Sequence, residues 1–439
     1  MHARFLRVRI ASALLVGVSS PAITQGVAER TGMAGDAAAQ TQSSNHQDAQ
    51  RSQTTTEPTG WQFVQDGVAF GLFNHQGGPR GVDEFTVPNW WMGVLTRRVG
   101  SSRLTLNGMF SLDLVTAGQL GYGQIFQVGE AVALDGRPLI DRQHPHDLVM
   151  QLAAIWRTPV TSKTGLTIAS AAAGEPALGP VAFTHRASAA EYPFATLSYH
   201  TFDSTDIAYG VITAALDHGP WVVEASIFNG REPDEVRWDV DFAALDSVSG
   251  RVWYRPTDRW EFQASTGHLR HPEELRPGNT QRTTTSASWF KREGTDFMAV
   301  TVAYGVNVTA DASRHAVFGE ATRHVGLNSV FGRVEMLQVE TNLLLTFAIP
   351  STHEAAAQKE AVGALTIGGV RDVVRWHGFE GGVGAGMTVY AVPEPLKVTH
   401  GEHPVSFQVF FRLRPSAGGM GRLWNLRMSQ PMVDHPAHR

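Results

Sequence analysis

The chain has no cysteine, which excludes a disulfide-stapled scaffold and fits an oxidising compartment outside the cytosol. Charge is scarce: 18% of the 439 residues are Asp, Glu, Lys or Arg, below the roughly 25% of an ordinary soluble domain. Neither sign dominates, and the formal net charge of −5 excludes a broadly basic nucleic-acid binder. Long apolar runs are also missing, so no transmembrane helix of about 18 or more residues is available. The sequence carries neither the phosphate-cradling Gly-x-x-x-x-Gly-Lys-Ser/Thr loop nor the Gly-x-Ser-x-Gly elbow of many hydrolases. Hydrophobic residues nevertheless reach 42%, enough to exclude a disordered chain, and 44 glycines exceed the usual share of about 7%.

The N-terminus has the layout of an export signal. Arg4, Arg7 and Arg9 precede a short apolar stretch from Ile10 to Val18, and Ser20-Pro21-Ala22 offers small residues for cleavage. Residues 1–22 are therefore expected to be a signal peptide. Residues 23–58, rich in Ala, Gln, Ser and Thr and without apolar periodicity, are expected to be a disordered spacer.

From about residue 61 the dominant period is two. In Val405–Arg414, Val405, Phe407, Val409, Phe411 and Leu413 share one face, with Ser406, Gln408, Phe410, Arg412 and Arg414 on the other. The same split recurs in 103–114, 221–228, 248–255 and 282–289, and no helical stripe of three turns is present. The fold class is all-β. Turn signals are short near 100–102, 161–163, 218–220, 257–259, 293–295, 325–327 and 377–379. Long connections fall at about 75–88, 117–147, 175–205, 230–244, 270–281, 307–314, 342–363 and 393–404. Short and long connections in strict alternation describe an up-and-down antiparallel barrel of about 16 strands, with both ends on the side of the short turns. A soluble sandwich would split into smaller domains, and no linker-like shift interrupts 61–415; a propeller would repeat a motif every 40–50 residues, and none recurs. Trp90, Trp91, Trp156, Trp221, Trp253, Tyr254, Trp260, Trp289, Tyr304, Trp376 and Phe379 gather near the short turns, as an interfacial aromatic girdle does.

In this alternation and girdle the chain resembles bacterial porin-like outer-membrane β-barrels over residues 59–416. Residues 417–439 are expected to be a periplasmic extension, a departure from barrels that end at a strand-terminal aromatic. The resemblance implies an outer-membrane location, lipid as the outer partner, insertion by the barrel-assembly machinery, and passage of small polar solutes or ions. No enzyme activity is expected. With the apolar face towards lipid, Arg103, Asp113, Glu224, Arg251, Glu261, Arg282, Arg333, Glu335, Arg412 and Arg414 are expected to line the lumen. Both charge signs are represented, which argues against strong ion selectivity.

One motif stands out. In Asp141-Arg-Gln-His144-Pro-His146-Asp147, extended geometry before proline places both imidazoles on one side. Asp141, His144, His146 and Asp147, with His185 and His200 of the third long loop, form a candidate set for a divalent transition metal. The alternatives are that these groups hydrogen-bond the long loops to one another, or that the loops close the lumen over a bound ligand. A Ser–His pair on the third loop, with Asp203 as orienter, is a third and weaker reading, an outer-rim hydrolase.

Overall fold

A computed structural model describes residues 60–416, except 133–135, 204–206, 274, 275, 277 and 347–357, together with Arg427 and Met428. The expected signal peptide and spacer lie outside the described residues. In chain order the strands are β1 (Gln62–His75), β2 (Asp83–Thr86), β3 (Asn89–Val99), β4 (Ser102–Phe110), β5 (Tyr122–Val132), β6 (Pro138–Gln143), β7 (Val149–Pro159), β8 (Thr164–Gly174), β9 (Ala208–His218) and β10 (Trp221–Phe228). They continue as β11 (Ser247–Tyr254), β12 (Trp260–Leu269), β13 (Thr280–Glu293), β14 (Asp296–Val308), β15 (Ser313–Val325), β16 (Asn328–Glu340), β17 (Lys359–Trp376), β18 (Phe379–Ala391) and β19 (Val405–Pro415). Four short helices, α1 (Asp113–Thr116), α2 (Tyr199–Phe202), α3 (Thr341–Thr346) and α4 (Glu394–His400), all sit in connections.

Sixteen of these strands form the wall. Each pairs antiparallel with its neighbours, and the sheet closes where β1 meets β19 at one edge and β3 at the other. β2 is a four-residue rider on the upper half of β1, and β5 with β6 makes a separate ribbon in the second long connection. Closure leaves no wall strand with an unpaired edge, which is what a sheet needs in a medium without hydrogen-bonding solvent. The turns between β3 and β4, β9 and β10, β13 and β14, β15 and β16, and β17 and β18 each hold a glycine at φ between 57° and 82°, a conformation other residues rarely adopt. Tight turns thus fall where the sequence places them, and the connections expected to be long lie at the opposite end, although the one expected over 307–314 is itself a tight turn from Thr309 to Ala312, closed by the Thr309 N–H to the Ala312 carbonyl.

The outer surface is apolar. Val223, Ile227, Val248, Val302, Val334, Ile367, Val383 and Val409 are all exposed, although a soluble protein seldom leaves so large a hydrophobic surface open. Near the short turns Trp156, Trp221, Trp260, Trp376 and Phe379 are also exposed, and Trp221 stacks on Tyr254 at 4.3 Å, whereas Tyr304 of the expected girdle is exposed towards the opposite end, beside His315. Two members of the expected girdle face inward instead. Trp253 is buried, with its indole N–H donated to Glu224, and Trp90 packs against His185. Both sit in inward register on their strands, and proximity to a turn does not reveal on which face a ring lies. The strand expected over 103–114 ends at Phe110, because residues 113–116 turn into α1.

Candidate functional site: the loop-filled lumen

The third long connection, between β8 and β9, is buried along almost its whole described length from Glu175 to Asp203. Surface loops are not buried in this way. Its sequence is rich in Ala, Pro and Gly with interspersed aromatics, and it winds through two 3-10 turns (Phe183–His185 and Ala187–Ala189) and α2. Inside the barrel its backbone groups need partners, and the polar inner wall supplies them. Ala177 N–H donates to Ser226 Oγ at 2.8 Å and Gly179 N–H to Ser265 Oγ at 3.0 Å. Leu197 N–H donates to Glu335 at 2.8 Å, and the His200 carbonyl accepts from Arg282 at 2.8 Å and Asn307 at 3.0 Å.

Three buried ion clusters hold the same loop. Arg251 donates to Glu224 at 2.5 Å, to Glu175 at 2.7 Å and to the carbonyls of Leu178 and Gly179. Arg186 reaches Asp203 at 2.9 Å and Glu320 at 2.8 Å, and Arg333 binds the other oxygen of Glu320 at 2.9 Å. Glu191 receives Arg412, Arg414 and the Ser329 hydroxyl, while Arg412 also binds Asp372. Burial alone would raise the Glu191 carboxyl, but the guanidiniums of Arg414 and Arg412 pull it down to about 2.

Eight of the ten residues expected to line the lumen therefore point inward from wall strands and are buried: Glu224, Arg251, Glu261, Arg282, Arg333, Glu335, Arg412 and Arg414. Arg103 sits half-buried at the start of β4 beside a short turn. Asp113 is not on a strand. It opens α1 and accepts from Asn89 N–H at 2.7 Å, with His146 Nδ1 also 2.7 Å away.

Of the six candidate metal ligands, four are occupied elsewhere or stand apart. His146 is paired with Asp113; Asp141 accepts from Phe126 N–H at 2.7 Å and contacts His400 Nε2 at 3.0 Å. Asp147 lies 3.3 Å from Arg237, and burial pushes its carboxyl up to about 7 despite that cation. His185 lies edge-on to Trp90, and burial lowers its imidazole to about 4. His144 and His200 do meet, with ring centroids 5.6 Å apart, and Glu232 of the connection between β10 and β11 joins them. Nothing in the sequence around Glu232 marks it, since its place depends on three separate loops. Among the described residues Ser188 and Asp203 join no Ser–His–Asp arrangement: the Ser188 hydroxyl bonds Thr301 and Glu320, Asp203 is bound by Arg186, and neither has an imidazole partner; Ser204 of the same loop lies outside the described residues.

No protein-family model and no curated protein matches the sequence. Among solved structures, the chain is similar to OprB of Pseudomonas putida, at 8% identity and a TM-score of 0.50, over 81% of this chain and 94% of that one. An anion-selective porin from Comamonas acidovorans aligns at 8% identity and a TM-score of 0.48, over 81% of this chain and 100% of that one. The fold is a porin-like outer-membrane β-barrel.

One cavity lies beside the third loop. The cavity between that loop and the wall of β1 and β3, lined by Asp66, Trp90, Tyr122, Phe183, Tyr192 and Arg414, holds about 50 Å³. Farther round the wall, past β4, the inner faces of β7 and β8 are largely apolar and small-sided, with Ala153, Ile155, Ala169 and Ala171 packed with Leu178 and Met428. Met428 belongs to the segment that the sequence reading places in the periplasm. It and Arg427, the described residues of that segment, lie inside the barrel. Arg427 grips Glu261 through two bonds of 3.0 and 2.7 Å and lies 3.6 Å above the Trp253 ring.

Proposed function

We propose that this outer-membrane barrel is a narrow channel for small polar solutes or ions, constricted by its third loop, with the His- and Asp-bearing second to fourth loops forming the vestibule. The observation that carries the reading is the inner wall of β9 to β14. There Thr213, Ser226, Ser249, Gln263, Ser265, Thr284 and Thr301 turn hydroxyls and an amide inward while the opposite face is apolar. Ser226, Ser265 and Thr301 also hold the third loop, and it is the polar character of the interior as a whole, set against the apolar outer face, that suits a solute shedding water. The charged groups are already paired with one another, so weak charge selectivity is expected. Insertion by the barrel-assembly machinery accompanies this reading.

Planar-bilayer recording tests it. The intact protein should give small, discrete conductance steps, and replacing residues 180–204 with a short Gly-Ser linker should enlarge them several-fold. Silence from the intact barrel, together with conduction by the shortened one, would establish instead a closed surface barrel. That second reading draws on the small cavity beside the third loop and on Arg427 inside the lumen.

A further inference from the structure

Three separate long loops each bring one metal-ligating side chain to the same point. His144 comes from the second, between β4 and β7; His200 from the third, on α2; and Glu232 from the fourth, between β10 and β11. One ligand atom from each lies within 4.8 Å of the other two. The two imidazole rings are inclined at 55°, and His200 Nδ1 stands 3.6 Å from Glu232 Oε1. His144 is 8% exposed, His200 7%, and the Glu232 side chain 12%. We infer that His144, His200 and Glu232 form a binding site for a divalent transition metal of the zinc class, which ties the three loops together across the barrel mouth.

The chemistry of the donors supports this reading. Two imidazoles and one carboxylate suit zinc with one position left open, and they suit copper or nickel; calcium and magnesium prefer all-oxygen sets. His144 Nδ1 lies 3.3 Å from the Pro145 carbonyl, and a hydrogen donated there leaves the Nε2 lone pair for a metal. Glu232 Oε1 is buried and receives no hydrogen bond, because His200 at 3.6 Å is too distant to donate. A buried carboxylate oxygen without a donor is costly, and a cation answers it. Donors on a tetrahedral zinc stand about 3.4 Å apart, given bonds of about 2.1 Å, so side-chain rotation closes the remaining gap. The backbones beneath are already fixed: His200 by Arg282 and Asn307, and Glu232 by its N–H to the Pro272 carbonyl at 3.0 Å. Arg237, whose charge acts on His144, is itself paired with Asp147.

The test uses the full-length folded protein in detergent, stripped with a chelator and titrated with zinc chloride by calorimetry, with bound zinc counted after dialysis. One saturable equivalent is expected. It should be lost in the His144→Ala/His200→Ala double variant, weakened about tenfold or more in Glu232→Gln, and kept in His377→Ala at a periplasmic turn. Cobalt chloride provides a second readout, a visible absorption band present in the parent and absent from the double variant. The Glu232→Gln variant, isosteric and confirmed folded by its unboiled gel mobility, guards against loss through misfolding. No saturable equivalent in the parent, or an equivalent unchanged in all three site substitutions, overturns the assignment. Neither result depends on whether the barrel conducts.

Discussion

Glu191 shows how single residues hold the interior. Its carboxylate is buried among Arg412, Arg414 and Ser329, so removing it takes one carboxylate partner from each of two guanidiniums in a buried site, leaving Arg412 to Asp372 and Arg414 to Glu380. Breaking such a buried pair costs about 3–5 kcal/mol. Glu191→Ala should therefore lower the temperature at which the folded band disappears on a detergent gel, and Glu191→Gln should lower it less; equal midpoints for all three proteins would contradict the pairing. His185 makes docking of the third loop sensitive to pH. Its imidazole is lowered by burial to about 4, against an ordinary 6.5, so between those values the released loop binds a proton that the docked loop does not. Docking is at full strength above about pH 6.5, weakens as pH falls towards 4, and changes no further below. Hydrogen exchange over residues 180–190, corrected for intrinsic rate, should rise between pH 7 and pH 4.5 in the parent more than in His185→Phe. Parallel profiles would show that His185 does not govern the loop.

At the scale of elements, the glycines of β17 and β18 serve cross-strand packing. Gly368 is registered opposite Phe331, and Gly384 opposite Phe410; a Cβ on either glycine would collide with the facing ring. The aromatic ring covers the gap that each glycine leaves, a cross-strand pair that fixes the register of the wall. Gly384→Val should cost about 1–3 kcal/mol through overpacking. Gly319→Ala, where the nearest atom is Val302 Cγ2 at 3.8 Å, should leave the unfolding midpoint unchanged or raised. The wall was legible in the sequence because strand alternation and turn glycines are local signals: Val405 to Leu413 alternate with Ser406 to Arg414, and Gly294, Gly326 and Gly378 mark turns. The path of the third loop was not legible. Its Ala-, Pro- and Gly-rich sequence has no period, and its partners lie far along the chain, as Glu191 lies 221 residues from Arg412. His144 and His200 were visible as residue types, whereas Glu232 joins them only after three loops have folded.

For the whole molecule, lipid-facing alternation produces a closed wall, and an inner surface of hydroxyls and charges draws one loop inward and holds it. A barrel of about 16 strands with outward-lying loops would enclose a wide aqueous channel. Here the third loop takes up much of that space, and Arg427 with Met428 covers part of the wall beneath it. The most direct test exploits the absence of native cysteine. Ser188 Oγ on the loop lies 2.8 Å from Thr301 Oγ1 on β14, within disulfide reach if both become cysteine. Ser188→Cys with Thr301→Cys, oxidised mildly in native membranes, is predicted to form the bond to the same extent as the wall pair Thr96→Cys with Thr105→Cys, whose hydroxyls are also 2.8 Å apart. A wall pair that closes while the loop pair stays reduced would place the third loop outside the lumen and contradict this account.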